Sequence, residues 1–115
     1  MRAAIGRRLA SFLSVLESQL ILEIAQITVS ANQLQEFEAA FIEARKVITQ
    51  ADGCGAVSLH RCIETPGRYQ LFVEWPTVKH HMDGFRNSPR FQEWRRILGP
   101  FFVEPPFVEH FQAAG

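Results

Sequence analysis

Apolar positions along this chain repeat with two different periods. Residues 20–29 (LILEIAQITV) are dense in β-branched and apolar side chains and read as a strand. Leu22 and Ile24 fall on one side of it, and Ile21, Ala25, Ile27 and Val29 on the other. The period then changes. Leu34, Phe37, Phe41, Ala44 and Ile48 keep one helical face, with Glu36, Glu43, Arg45 and Lys46 turned away. Ser30 and Asn32 are both plausible N-caps, and Asp52-Gly53 closes the helix with a left-handed glycine. Residues 54–64 form a second strand, Pro66-Gly67 a turn, and residues 69–75 a third strand, together a hairpin. Pro76 stops that strand and Thr77 caps a helix whose face is Val78, His81, Met82 and Phe85. Ser88 and Pro89 cap and start a second short helix, on which Phe91, Trp94, Arg95 and Leu98 share a face. Gly99-Pro100 ends it, and residues 107–112 are the last strand.

The order strand, helix, strand, strand, helix pair, strand is the split βαβ arrangement of an α+β, ferredoxin-like βαββαβ fold with a four-stranded antiparallel sheet. Helices would cover one sheet face. The other face is apolar too: Phe72 opposes Leu71, Val73 and Trp75 on the third strand. With no element left to cover it, a second copy is the simplest cover, so a homodimer is expected.

At 115 residues the chain is sized for one domain, placed at residues 20–115. Residues 1–19 read as an appended, helical extension, because Ile5, Leu9, Phe12, Leu13 and Leu16 keep helical spacing and Glu17 interrupts the run that follows Arg2, Arg7 and Arg8. Twelve Lys and Arg balance twelve Asp and Glu, so no basic excess points to nucleic acid. No run of about 20 apolar residues would span a membrane. Ten Phe and two Trp against one Tyr imply a rich core, an apolar pocket or an interface. Cys54 and Cys62 lie roughly 26 Å apart at strand rise, too far for a disulfide, and their spacing is not that of a zinc site. Free thiols fit a cytoplasmic protein.

Residues 74–111 (EWPTVKHHMDGFRNSPRFQEWRRILGPFFVEPPFVEHF) resemble the second half of the antibiotic biosynthesis monooxygenase family. The carrying features are Glu-Trp ending strand three, a His-containing helix, Ser-Pro-x-Phe, a basic helix, and Val-Glu-His-Phe in the last strand. The helix start VSANQLQEFEAAF extends the likeness toward the N-terminus. The resemblance implies a dimeric α+β barrel with a pocket between the sheet and helices of each subunit. Oxygenases of the family use no metal, flavin or haem; a deprotonated phenolic substrate itself gives an electron to O2. The family also includes haem degraders, isomerases of signal molecules and many members without a known activity.

On that resemblance Trp75 matches a tryptophan walling the pocket, His81 falls where an oxygenase carries a helix tyrosine, and Arg95 where an arginine faces the substrate oxygen. Leu71 stands where a polar amide would bind substrate, which points away from the same substrate. The haem-degrading branch would need an axial His on the second short helix; the matching places hold Trp94 or Arg95, so that activity is disfavoured. The expectation is therefore a cofactor-independent monooxygenase of a phenolic or quinol-type aromatic. His81 would accept the phenolic proton and Arg95 would steady the oxyanion, with Trp75 completing the catalytic set. Leu71, Phe85, Phe91 and Trp94 would form the walls around substrate, with no metal. Alternatives are a non-catalytic small-molecule-binding or stress-related dimer, or an isomerase. Each residue also has an ordinary role open to it: core packing for Trp75, a hydrogen-bonded helix position for His81, and an ion pair with Glu74, Glu93 or Glu104 for Arg95. His110 and His60 read as hydrogen-bonded strand histidines.

Overall fold

The computed structural model describes residues 20–115; the extension read as helical over residues 1–19 lies outside the described residues. Four strands, β1 (Ile21–Thr28), β2 (Val57–Arg61), β3 (Arg68–Trp75) and β4 (Phe107–Gln112), form one sheet in the order β2-β3-β1-β4. Every pairing is antiparallel. Helices α1 (Leu34–Ile48) and α2 (Pro89–Leu98) and a short π-helix (His80–Phe85) fill the two crossovers. This is the ferredoxin-like α+β fold expected from the order of elements. Among the described residues no helix is long and apolar enough to cross a membrane.

Alternation fixes which way the sheet faces. In β1 and β3 the odd-numbered residues turn toward the helices: Ala25, Ile27, Tyr69, Leu71, Val73 and Trp75 are all buried. They meet Phe37, Phe41, Ala44 and Ile48 of α1 and Trp94 and Leu98 of α2, one continuous core. Tyr69, Val73, Trp75, Phe37 and Leu98 are each exposed by less than 2%. Full burial of such side chains stabilises by about 1.5–3 kcal/mol each, which pins the strand register before any polar contact is considered.

Local signals explain the boundaries. Gly53 ends α1 with φ 81 and Gly67 closes the hairpin with φ 94, both left-handed. Ser88 caps α2 by accepting from Phe91 N at 3.4 Å, and Pro89 takes the first turn. Thr77 Oγ1 accepts from His80 N at 3.1 Å.

Three details differ from the sequence-based expectation. Neither Ser30 nor Asn32 caps α1 through its side chain; the chain enters through a 3-10 turn, Ala31–Gln33, closed by Gln33 N on Ser30 O at 2.9 Å. The second strand is shorter than residues 54–64, because Gly55 and Ala56 pair with Glu74 irregularly and Cys62 already belongs to the turn. The segment after Thr77 is a π-helix, with Arg86 N bonded to His81 O at 2.9 Å, and Val78 is 41% exposed rather than on the buried face. The wider turn leaves His81 and Phe85 buried. Both cysteines are free thiols, as expected.

Candidate active site

A cavity of about 480 Å³ lies between the helix-facing side of the sheet, the π-helix, α2 and the segment 102–106. A space of that size suits a small organic ligand. Its walls are Ala25, Ile27, Leu71 and Val108 from the sheet, Ile48 from α1, and Phe85, Phe91 and Trp94 from the two short helices. Phe85 meets Phe91 edge-on at 5.5 Å and Trp94 edge-on at 6.1 Å, so the aromatic wall is held by its own packing. All four residues expected to surround a substrate, Leu71, Phe85, Phe91 and Trp94, line this space.

The polar groups are distributed unevenly. Glu23 and His81 line the cavity from its buried side, with side chains 6% and 4% exposed. Arg86, Arg95 and Glu104 line it from the exposed side. Among the described residues neither arginine forms an ion pair. The partners considered for Arg95 are thus not engaged: Glu93 binds Arg96, and Glu104 accepts from Thr28 Oγ1. The Arg86 guanidinium sits 5.3 Å from the centre of the Phe91 ring.

At the buried end four side chains form one line, joined by two hydrogen bonds and one close approach. Trp75 Nε1 donates to Glu23 Oε1 at 2.9 Å. His81 Nε2 lies 3.3 Å from the same oxygen. His81 Nδ1 is 2.8 Å from His110 Nε2. Strand pairing builds this line, since β1 sets Glu23 opposite Val73 on one side and His110 on the other. The indole of Trp75 also stacks on the His81 ring at 5.3 Å and 17°. Trp75 is completely buried and stands behind the lining rather than in it. Its contact with the cavity passes through Glu23 and His81.

Burial drives both ionisable partners toward neutrality. Desolvation raises Glu23 from 4.5 to about 7, opposed by the Trp75 hydrogen bond and the positive charge of Arg86. Desolvation, with smaller contributions from His110 and Arg86, lowers His81 from 6.5 to about 4. His110 is lowered as well, by desolvation. The Glu23–His81 contact is therefore a close approach of two neutral groups at mildly acidic pH, not an ion pair. Buried and poised near neutrality, Glu23 is the group of this site that sequence reading overlooked. Its signal was its position among Ile21, Ala25 and Ile27, a lone acid on the apolar side of the first strand.

Other polar clusters lie apart from the cavity. Glu38 on α1 holds Arg61 in a two-point contact at 2.8 and 2.9 Å and accepts from Tyr69 Oη at 2.7 Å. His60 bonds Ser58 Oγ at 3.0 Å and packs on Phe72 across the outer sheet face. Among the described residues no group of His, Cys, Asp and Glu is arranged to hold a metal ion.

Comparison with known proteins agrees with this architecture. Residues 20–97 match the family model described as antibiotic biosynthesis monooxygenase. The uncharacterised Bacillus subtilis protein YczJ is 40% identical over 93 residues, covering 81% of this chain and 98% of that protein. A Bordetella bronchiseptica crystal structure, described by the same family, is 48% identical with a TM-score of 0.80, covering 83% of this chain and 97% of the other. SnoaB, a cofactor-independent oxygenase from Streptomyces nogalater, shares the fold alone, at 16% identity and a TM-score of 0.69, covering 84% of this chain and 95% of that one.

Proposed function

The chain belongs to the antibiotic biosynthesis monooxygenase family, and from that premise we propose that its cavity binds a small phenolic or quinol-type aromatic and oxidises it with O2 without a metal or organic cofactor. The observation that carries this reading is the combination of an apolar, aromatic-walled cavity with a buried carboxyl and imidazole at one end and, at the other, guanidinium groups that pair with no acid among the described residues. SnoaB, whose fold this chain shares, is a cofactor-independent oxygenase.

The chemistry asks little of the protein. A phenol that loses its proton becomes electron-rich enough to reduce O2 directly. The oxygen then joins a ring carbon as a peroxide, and one oxygen atom leaves as water. A hydroquinone and O2 thus give a hydroxyquinone and one water. The cluster around His81 would take the phenolic proton and later return it to the departing oxygen. Arg95, assisted by Arg86, would steady the oxyanion. Leu71, Phe85, Phe91 and Trp94 would orient the ring and exclude water, which protects the carbanion and peroxide stages. Trp75 would act by fixing the acid and the imidazole.

We also propose a homodimer joined through the outer sheet face. Leu22, Ile24 and Phe72 lie there beside Phe107 and Phe111, which are 63% and 45% exposed. Large apolar side chains side by side on a sheet are the usual mark of an interface.

Oxygen uptake with a panel of hydroquinones, with no metal or flavin added, tests the reading. The wild type is expected to consume O2 with at least one of them, and Arg95→Ala to slow it by about 100–1,000-fold, the scale of one lost oxyanion contact. Ligand binding without oxygen uptake anywhere in the panel would favour the non-catalytic reading, and oxygen-independent turnover an isomerase.

A further inference from the structure

Both ring nitrogens of His81 face protein side chains: Nε2 lies 3.3 Å from Glu23 Oε1 and Nδ1 2.8 Å from His110 Nε2. An imidazole so placed is turned to its protein neighbours on both sides. His81 Nδ1 and His110 Nε2 share one hydrogen bond at 2.8 Å, one nitrogen donating to the other. Oε1 of Glu23 accepts from the Trp75 indole, and His81 Nε2 approaches the same oxygen at 3.3 Å. The other oxygen, Oε2, has no hydrogen bond among the described residues, yet no buried polar side-chain atom there lacks a partner. Glu23 lines the cavity, and Oε2 is its carboxyl oxygen left without a hydrogen bond among the described residues.

We propose that Glu23, through Oε2, is the group that takes the proton from the ligand hydroxyl, and that Trp75, His81 and His110 are positioning residues that hold Oε1 and aim Oε2 inward. This assignment rests on the reading that the cavity takes a hydroxylated aromatic. In the step the ligand O–H bond breaks, an O–H bond forms at Oε2, and the electron pair stays on the ligand oxygen. The ligand becomes an anion facing Arg86 and Arg95, and Glu23 becomes neutral, so no new charge is buried at the apolar end. Desolvation suits the carboxyl to this work, placing it near the pH at which a base is both free and strong enough. The groups facing it from each packed element are Cys54 before β2, His81 and Arg86 at the π-helix and His110 on β4; Arg95 of α2 and Glu104 line the same cavity. Burial, with the Glu23 charge, pushes the Cys54 thiol up to about 11, so it stays protonated and does not compete.

The test uses a nitrophenol, which binds as a coloured phenolate but lacks the electron density to react with O2. Above neutral pH, wild-type protein should take up about one proton per phenolate bound, since Glu23 is ionised before binding and protonated beside the anion. Glu23→Gln, which keeps an oxygen for Trp75 and His81, should take up none, and Glu23→Asp should restore part of the uptake. In oxygen assays with a hydroquinone, Glu23→Gln should lower kcat by about 100-fold or more and abolish the fall in rate on the acid side of neutrality. Equal proton uptake by wild type and Glu23→Gln would overturn the assignment, as would a wild type that takes up no proton or binds no nitrophenol. Proton uptake that depends on Glu23, without O2 consumption on any hydroquinone, would instead leave the assignment standing and remove the oxygenase reading.

Discussion

In the unfolded chain Glu23 and His81 are an ordinary acid and an ordinary imidazole. Folding moves Glu23 up to about 7 and His81 down to about 4. The two shifts act on stability with opposite signs. Glu23 favours the fold while protonated, and that contribution is lost as pH rises from its unfolded value through about 7. His81 favours the fold while neutral, and its contribution is lost as pH falls from 6.5 through about 4. A rise of Glu23 from 4.5 to about 7, at about 1.36 kcal/mol per pKa unit, corresponds to about 3 kcal/mol, to be taken as an upper bound. Glu23→Gln should therefore gain on the wild type by about 2–3 kcal/mol between about pH 5 and about pH 8 in urea unfolding. A gap that does not change with pH would contradict the burial argument. An acid that weakens the fold at neutral pH but faces a cavity is better explained by chemistry than by packing. The family resemblance pointed to Trp75, His81 and Arg95. It did not supply Glu23, because an acid inside an apolar alternation gains meaning only when β3 and β4 flank it and bring Trp75 and His110 to its sides.

Elements were legible where periodicity is long. The faces of α1 and α2, the third and last strands, and the Ser88-Pro89 start all follow from spacing and capping. Less legible was the short segment at His80–Phe85, whose side-chain spacing fits one α-helical face but whose backbone widens to a π-turn. In that form His81 packs against Trp75 and Phe85 against Trp94. The β2–β3 turn was legible as Pro-Gly, but not the reason its glycine is needed. A side chain at Gly67 would run into the carbonyl oxygen of Val29, and Val29 N donates to Gly67 O at 2.7 Å. Gly67→Ala should lower stability by about 1–3 kcal/mol, read as a drop in Tm. Gly84, inside the π-helix, has nothing closer than 3.9 Å to an added Cβ, so Gly84→Ala should be neutral or raise Tm slightly. Equal effects at the two positions would refute the close approach at Gly67.

For the whole molecule, the sheet decides both what is enclosed and what is left open. Its helix-facing side supplies the buried end of the cavity. Its other side leaves Phe107 and Phe111 exposed in a line with Leu22, Ile24 and Phe72. The apolar second face was visible in the sequence as Phe72 opposing Leu71 and Val73, whereas the exposure of β4 depended on its edge position beside β1. If two copies meet there, the doubly charged variant Phe107→Glu/Phe111→Glu should sediment as a monomer while the wild type sediments as a dimer. A wild type that is monomeric at micromolar concentration would contradict the pairing. Because β4 also carries His110, losing the partner should loosen the line that ends on Glu23.

The central claim is that this cavity inserts one atom of O2 into an aromatic ligand using only the protein's own acid, imidazole and guanidinium groups. The most direct measurement is mass spectrometry of the product formed under heavy-isotope dioxygen from a hydroquinone, with chelator present and no flavin. One heavy oxygen atom in the hydroxyquinone and the other in water is the predicted result. A product with no heavy oxygen, or no product at all across the panel, would contradict it.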